Sequence, residues 1–107
     1  MASSEEYLTF ILEQLSDLDG ISYRAMMGEY ILYYKEKIIG GIYDDRLLVK
    51  PVEAARKYMP EAVLVSPYPG AKEMLLVDNL DSKDYLTTLI EAMFEELPVP
   101  KAKRRYK

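Results

Sequence analysis

Residues 21–50 constrain the fold of this chain more than any other part of the sequence. They contain three runs rich in aromatic and β-branched side chains, at residues 29–34, 38–43 and 46–50, and that composition favours β-strands. The links between the runs have only two or three residues, and links so short can join only antiparallel neighbours. We therefore predict an antiparallel meander, with residues 21–27 supplying a strand before these three.

A first helix is predicted before the meander, over residues 4–18. Its apolar residues recur at helical spacing, and its acidic residues fall elsewhere on the helical wheel. Ser3 and Glu6 have the spacing of a capping box, in which a hydroxyl and a carboxylate satisfy free backbone donors at the start of a helix. Gly20 marks the end of the pattern.

Helical and strand patterns alternate again after the meander. Residues 51–59 fit a short helix, residues 72–78 a last strand, and residues 82–97 a helix with an apolar stripe. The segment 66–70 holds two prolines and a glycine, so it is predicted to be a loop. The predicted fold class is α+β, a two-layer sandwich with helices on one face of an antiparallel sheet in the order α-β(3-4)-α-β-α.

Composition excludes several kinds of chemistry. The chain of 107 residues has the length of one domain, and half of its residues are hydrophobic. It contains neither Cys nor His, so it has no thiolate nucleophile, no cysteine-type zinc site and no imidazole base for a catalytic triad. We expect no enzymatic activity and no cofactor.

The sequence divides into an acidic body and a basic end. We predict a domain over residues 1–97 and a flexible basic tail over residues 98–107. The tail holds five of the 14 Lys and Arg residues and none of the 18 Asp and Glu residues, which leaves a net charge of −9 on the body. Residues 1–6 lack the basic start of a signal peptide, and no apolar stretch approaches the ~18 residues that span a bilayer. We expect a cytoplasmic protein with no membrane contact.

Three segments in order resemble a known family. The sequence Arg24-Ala25-Met26-Met27-Gly28 is similar to the Arg-x-Met-Phe-Gly signature of the TfoX/Sxy N-terminal domain, with Met27 where the family often has Phe. Residues 38–44 resemble the second strand of that family and its acidic turn, and residues 47–50 resemble its closing strand, which ends in lysine. The resemblance extends over roughly residues 5–97.

The resemblance implies a two-layer α+β fold and a link to bacterial competence regulation, in which full-length members act with the cAMP receptor protein as co-activators. Longer members add a C-terminal helical domain. This sequence stops after one domain, and we expect a stand-alone domain. The positions that carry the family motif are Arg24, Met26, Gly28, Gly40, Gly41, Asp44 and Lys50.

Arg24 has two possible roles. Its planar guanidinium could bind an anion or a partner. Alternatively, its stem could cover the edge of the sheet while its head meets a carboxylate of the acidic body. The second interpretation is favoured because the body is so acidic.

Glycines within a predicted strand indicate that something approaches the strand closely. Gly28 is expected at a turn or a bulge. The missing side chains of Gly40 and Gly41 would leave room for a helix, a second subunit or a ligand. We favour close internal packing, with a homodimer contact as the alternative.

Two further groups of residues are candidates for binding a metal ion or nucleic-acid bases. Asp44 and Asp45 could chelate magnesium, but adjacent side chains on a turn diverge, and Asp favours turns for backbone reasons alone. Tyr33 is expected on one face of the sheet with Tyr30 and Tyr34 on the other. An aromatic face can stack single-stranded bases, although the mixed charges nearby favour packing against helices or a partner.

The favoured function is therefore a binding or regulatory domain that contacts a protein partner. The family resemblance implies a transcription regulator as that partner, and a second copy of the chain, forming a homodimer, is a further candidate. The alternative is weak, nonspecific nucleic-acid binding through the basic tail of residues 98–107. A tail of this kind could also fold back on the body or stay solvated, and we favour the solvated state.

Overall fold

The computed structural model describes residues 3–99. Three α-helices and one sheet of six strands make up this part of the chain. In chain order the elements are α1 (Glu5–Gln14), β1 (Ile21–Met26), β2 (Glu29–Tyr34), β3 (Lys37–Ile42), β4 (Leu47–Val49), α2 (Glu53–Tyr58), β5 (Leu64–Val65), β6 (Met74–Leu76) and α3 (Lys83–Met93), followed by a 3₁₀ turn at Phe94–Glu96.

The sheet is antiparallel throughout, with the strand order β1-β2-β3-β4-β6-β5. Its first four strands form the predicted meander. Two-residue turns at positions 27–28, 35–36 and 44–45 connect them, and both residues of each turn have positive φ. Turns of this kind match the twist of the strands that they join. Gly28 has φ +85°, as its predicted place in a turn requires.

A β-bulge in β3 sets which side chains enter the core. Leu32 pairs with Gly40, whereas the next residue, Tyr33, pairs with Ile38, so Ile39 is the extra residue of the bulge. Ile39 and Ile42 are both fully buried although three positions separate them. A regular strand would send residues three apart to opposite faces, and the bulge therefore adds one more apolar side chain to the core.

The core lies between the sheet and the helices. The buried residues of all three helices pack against one face of β2, β3, β4 and β6 in a single apolar cluster. Its fully buried members include Ile11 of α1, Leu32 and Ile42 of the sheet, and Leu89 and Ile90 of α3. The predicted two-layer α+β architecture is confirmed.

The start of α1 differs from the prediction. Ser4, not Ser3, is the N-cap residue, and its hydroxyl accepts a hydrogen bond of 3.1 Å from the backbone N–H of Tyr7. The Ser3 hydroxyl instead donates to the carboxylate of Glu29 over 2.6 Å. No capping box forms with Glu6, because the sheet holds Ser3.

Each of the three helices is shorter than predicted. α1 ends at Gln14, because the backbone N–H groups of Ser16 and Leu18 bond to carbonyls only three residues back. α2 begins at Glu53 rather than at residue 51. α3 gives way to the 3₁₀ turn, and Leu97 is extended, as expected for a residue before proline.

One strand was missed. β5 pairs with β6 at the edge of the sheet, so the later part of the sheet has two strands instead of the one predicted. β5 has only two residues, too few for alternation to be visible in the sequence. The predicted tail, residues 98–107, lies outside the described residues from position 100 onward. Between residues 3 and 99, no helix has the length and apolar character needed to cross a bilayer.

Candidate interaction face

The sheet has two faces, and within residues 3–99 the helices cover only one of them. Residues paired across neighbouring strands share a face, so the register determines which side chains point away from the helices. We call this side the outer face. Its strand positions are Ser22, Arg24, Met26, Glu29, Ile31, Tyr33, Ile38, Gly41, Leu48, Val65, Met74 and Leu76.

The outer face is mainly apolar and aromatic. Only Arg24 and Glu29 are charged among its strand positions, in a body that carries twice as many acidic as basic residues. The uncovered face of an antiparallel sheet normally alternates to polar side chains. Here Ile38 is 38% exposed and Met26 is 43% exposed. The outer face therefore carries exposed apolar side chains at strand positions where such a sheet normally has polar ones.

The ring of a tyrosine covers the centre of the outer face. The ring of Tyr43 lies over Gly41, where a Cβ atom would come within 2.6 Å of the ring. Leu48, the strand partner of Gly41, is fully buried although it lies outside the core cluster. Tyr68 extends this aromatic cover, with its ring centroid 6.3 Å from that of Tyr43. Burial raises the pKa of Tyr43 above its ordinary value, and the neighbouring Tyr68 also raises it.

A groove of about 480 Å³ opens beside this tyrosine pair. Lys50 and Lys72 line it together with Tyr43, Tyr68 and Met74. Neither lysine forms an ion pair with a carboxylate of residues 3–99. This part of the surface is therefore amphipathic, with aromatic rings and a thioether beside two ammonium groups that have no carboxylate partner among the described residues.

Arg24, Met26 and Met27 form an exposed corner of the outer face at the first hairpin. The guanidinium of Arg24 makes no ion pair or hydrogen bond with any residue between 3 and 99. The favoured interpretation, in which a body carboxylate holds this arginine, is therefore wrong. Met27 is 95% exposed at φ +54°, a backbone conformation that is unfavourable for a side chain other than Gly, Asn or Asp.

Asp44 and Asp45, the residues considered as magnesium chelators, take part in structural hydrogen bonds through the Asp44 backbone N–H and the Asp45 carboxylate. The Asp45 carboxylate accepts a hydrogen bond of 2.9 Å from the backbone N–H of Ser4, and the Glu29 carboxylate accepts one of 3.1 Å from the backbone N–H of Asp44. With the bond from Ser3 to Glu29, these contacts tie the start of α1 to the ends of two hairpins. Within residues 3–99, no three acidic, His or Cys residues are grouped closely enough to hold a metal ion.

Internal packing accounts for the glycine pair. A Cβ atom at Gly40 would lie 2.0 Å from the carbonyl oxygen of Leu48 and 2.7 Å from the Cα atom of Val49. At Gly41 the obstacles are the carbonyl oxygen of Tyr30 and the ring of Tyr43. The close neighbours are adjacent strands and one tyrosine of the same chain, so neither glycine requires a second subunit.

The structure does not bring the motif positions together at one point. Arg24, Met26 and Gly28 lie at the first hairpin, and Asp44 lies at the same end of the sheet. The glycine pair lies within β3, and Lys50 follows the far end of β4. Sequence reasoning missed the aromatic cover formed by Tyr43 and Tyr68, because residues 25 positions apart carry no local signal of their contact.

Comparisons with known proteins identify the family of this chain. The family model of the TfoX N-terminal domain matches residues 13–94. The "Uncharacterized 12.7 kDa protein in trpE 5′ region" of Spirochaeta aurantia is 31% identical over 105 residues, which span 97% of this chain and 91% of that protein. No solved structure matches the chain significantly. The chain belongs to the TfoX N-terminal domain family.

Proposed function

We infer that this chain is a binding domain without catalytic activity and that it contacts a protein partner through the outer face. The observation that carries the inference is the apolar and aromatic character of a sheet face that no helix of residues 3–99 covers. Arg24, at the corner of this face, has no hydrogen bond or ion pair with any residue between 3 and 99. Aromatic residues, methionine and arginine are enriched at protein interfaces, and arginine is among the residues that contribute most to binding energy.

The family supports a regulatory partner. Members of the TfoX family are linked to competence regulation, and the resemblance implies an association with the cAMP receptor protein. A transcription regulator of that kind is therefore the proposed partner, met in the cytoplasm where bacterial transcription takes place. The residue types agree with binding, since the sequence supplies neither an imidazole nor a thiol for general-base or nucleophilic catalysis.

The test is a binding titration of the whole chain against a purified cAMP receptor protein in the presence of cAMP. Arg24→Glu should raise the dissociation constant by about 30-fold, since losing an arginine that contributes strongly to an interface costs about 2 kcal/mol. Ile38→Lys should weaken binding as well, because it places a charge in the apolar part of the face.

Lys57→Glu is the matched control. It makes the same change in charge at an exposed position on α2, in the helix layer, and it should change the dissociation constant by no more than about twofold. Equal effects of the two charge reversals would contradict the assignment of the outer face. A wild-type chain that fails to bind would contradict the proposed partner.

A further inference from the structure

β1 is an exposed edge strand of six residues, as long as β2 and β3. Five of its six residues are exposed, and no strand of residues 3–99 pairs with its outer side. The opposite edge, β5, has only two residues. Proteins usually protect an edge by keeping it short or by placing a proline, a bulge or several charges on it. β1 has none of the first three devices and a single charge, that of Arg24.

The hydrogen bonds of β1 show which backbone groups are free. The backbone N–H of Lys35 donates to the carbonyl of Gly20 over 2.9 Å, and these two residues continue the register of β1 with β2. Hydrogen-bonded pairs alternate along an antiparallel ladder. The N–H and C=O groups of every second residue therefore point away from β2. Those residues are Ile21, Tyr23 and Ala25.

The outward-pointing backbone groups of β1 can pair with the same groups of a second, antiparallel copy of β1. Two antiparallel copies of β1 can be aligned with Tyr23 opposite Tyr23, which places Ile21 of each copy opposite Ala25 of the other. All outward groups then find partners, giving about six hydrogen bonds between the copies. The alignment also places Arg24 opposite Ser22, so that the two arginines do not face each other directly. Shifting the alignment to oppose Arg24 with itself would lose some of these bonds.

The side of β1 that faces the helices offers apolar surface to a neighbouring strand. A groove of about 520 Å³ lies between the C-terminal part of α1 and this strand. Its lining includes Leu12, Leu15 and Leu18 together with Ile21 and Tyr23. In the alignment above, Tyr23 and Ala25 of a second copy would lie on the side of the sheet where this groove opens.

Charge also favours this edge for contact between two copies. The body carries a net charge of −9, so two copies repel each other over much of their surfaces. β1 contains no acidic residue, and its one charge is positive. Contact through this edge therefore brings no acidic residue of one β1 strand against an acidic residue of the other.

We propose that two copies of this chain pair through β1 across a twofold axis at Tyr23, forming one continuous sheet. The axis is perpendicular to the sheet, so the outer faces of both copies lie on the same side. This inference rests on the edge of the sheet and does not depend on the proposed function of its outer face. The contact is small compared with standard interfaces, and we expect a dissociation constant in the micromolar range.

The first test is sedimentation equilibrium of the whole chain over roughly 5–500 μM, a range chosen around the micromolar constants of small interfaces. The mass should rise from 12.4 kDa towards twice that value. Ala25→Pro should raise the dissociation constant at least tenfold, because it removes an outward N–H and leaves the bonds to β2 intact. Ala25→Val adds a side chain of similar size but keeps the N–H, so it should dimerise like the wild type.

The second test uses the absence of cysteine from the sequence. Residues opposite each other in a hydrogen-bonded pair have Cα atoms about 5.5 Å apart, which suits a disulfide. Tyr23→Cys should therefore form a covalent dimer on mild oxidation. Thr88→Cys, exposed on α3, is the control and should form far less.

A chain that stays monomeric throughout the concentration range would overturn the proposal, including the case in which its own C-terminal segment covers β1. A dimer that Ala25→Pro leaves unchanged, in a variant whose circular dichroism shows a native fold, would also overturn it. So would equal oxidation of the two cysteine variants. The outer-face titration with Ile38→Lys, a position in β3 and outside the edge strand, is read separately, so either hypothesis can fail while the other stands.

Discussion

Replacing Gly40 with alanine should destabilise this fold severely. The added Cβ atom would lie 2.0 Å from the carbonyl oxygen of Leu48 and 2.7 Å from the Cα atom of Val49, whereas unstrained contacts of carbon atoms lie near ~3.5 Å or beyond. Both obstacles are backbone atoms, so no side-chain rotation can relieve the clash. β4 would have to move away from β3 by about 1 Å or more, which would disrupt their hydrogen bonds.

The expected decrease in the free energy of unfolding is about 3–5 kcal/mol. Overpacking alone costs about 1–3 kcal/mol, and each weakened hydrogen bond between the strands adds about 1 kcal/mol. A domain of this size has a free energy of unfolding of about 5–15 kcal/mol. The loss would therefore be a large part of the total. Urea denaturation followed by far-UV circular dichroism measures it, and an alanine variant that is unfolded without urea would agree with the expectation.

Gly70→Ala is the matched control. Gly70 has φ +87°, and a Cβ atom there would have no neighbour within 4 Å. This substitution tests backbone conformation without a clash, and it should cost only about 1 kcal/mol. A loss of less than about 1 kcal/mol at Gly40, or equal losses at the two glycines, would refute the packing argument.

Three further predictions concern the hydrogen bonds of the fold and the tail. Glu29→Ala should lower the free energy of unfolding by about 2 kcal/mol, since it removes the acceptor for the Ser3 hydroxyl and for a backbone N–H. A double-mutant cycle with Ser3→Ala should show a coupling energy of about 1 kcal/mol, and additive effects of the two substitutions would contradict the contact. Burial and the 2.6 Å hydrogen bond to the Asp78 carboxylate raise the pKa of Tyr85. The neutral phenol therefore contributes to the free energy of unfolding in full below about pH 10, and this contribution is lost as the pH rises further. Wild-type protein should therefore lose more stability than Tyr85→Phe in urea titrations above that pH, and parallel losses would contradict the assignment. Neither the whole chain nor a chain lacking residues 98–107 should bind duplex DNA measurably at about 0.15 M salt, because few phosphate contacts and an acidic body give weak binding. Tight binding by the whole chain in fluorescence anisotropy would favour the nucleic-acid alternative.

The meander was predictable from sequence because its signals are local. Aromatic and β-branched runs separated by two-residue links leave few alternatives to antiparallel hairpins. The bulge at Ile39 was not predictable, since no residue type marks it and its effect appears only in the register with β2. The two residues of β5 carry no periodicity, and their pairing with β6 determines their structure.

The candidate face was only partly predictable. Alternation correctly separated Tyr33 from Tyr30 and Tyr34, which pack with the core. The partner of Arg24 was inferred from average charge, and average charge does not state where the carboxylates lie. In the structure the acidic residues near the hairpins bind the start of α1 instead, and Arg24 forms no ion pair within residues 3–99. Contacts between residues distant in sequence determined this outcome.

Site-specific photocrosslinking in living cells tests the central claim most directly. A photoreactive residue at Ile38, on the outer face, should yield a discrete adduct with a second protein, which mass spectrometry can identify. The same residue at Ala92, exposed on α3, should not yield that adduct, and adding Arg24→Glu to the Ile38 variant should remove it. The account predicts an adduct that depends on both the face and the arginine. Adducts of equal yield from both positions, or an Ile38 adduct that persists with Arg24→Glu, would contradict the claim that the outer face binds the partner.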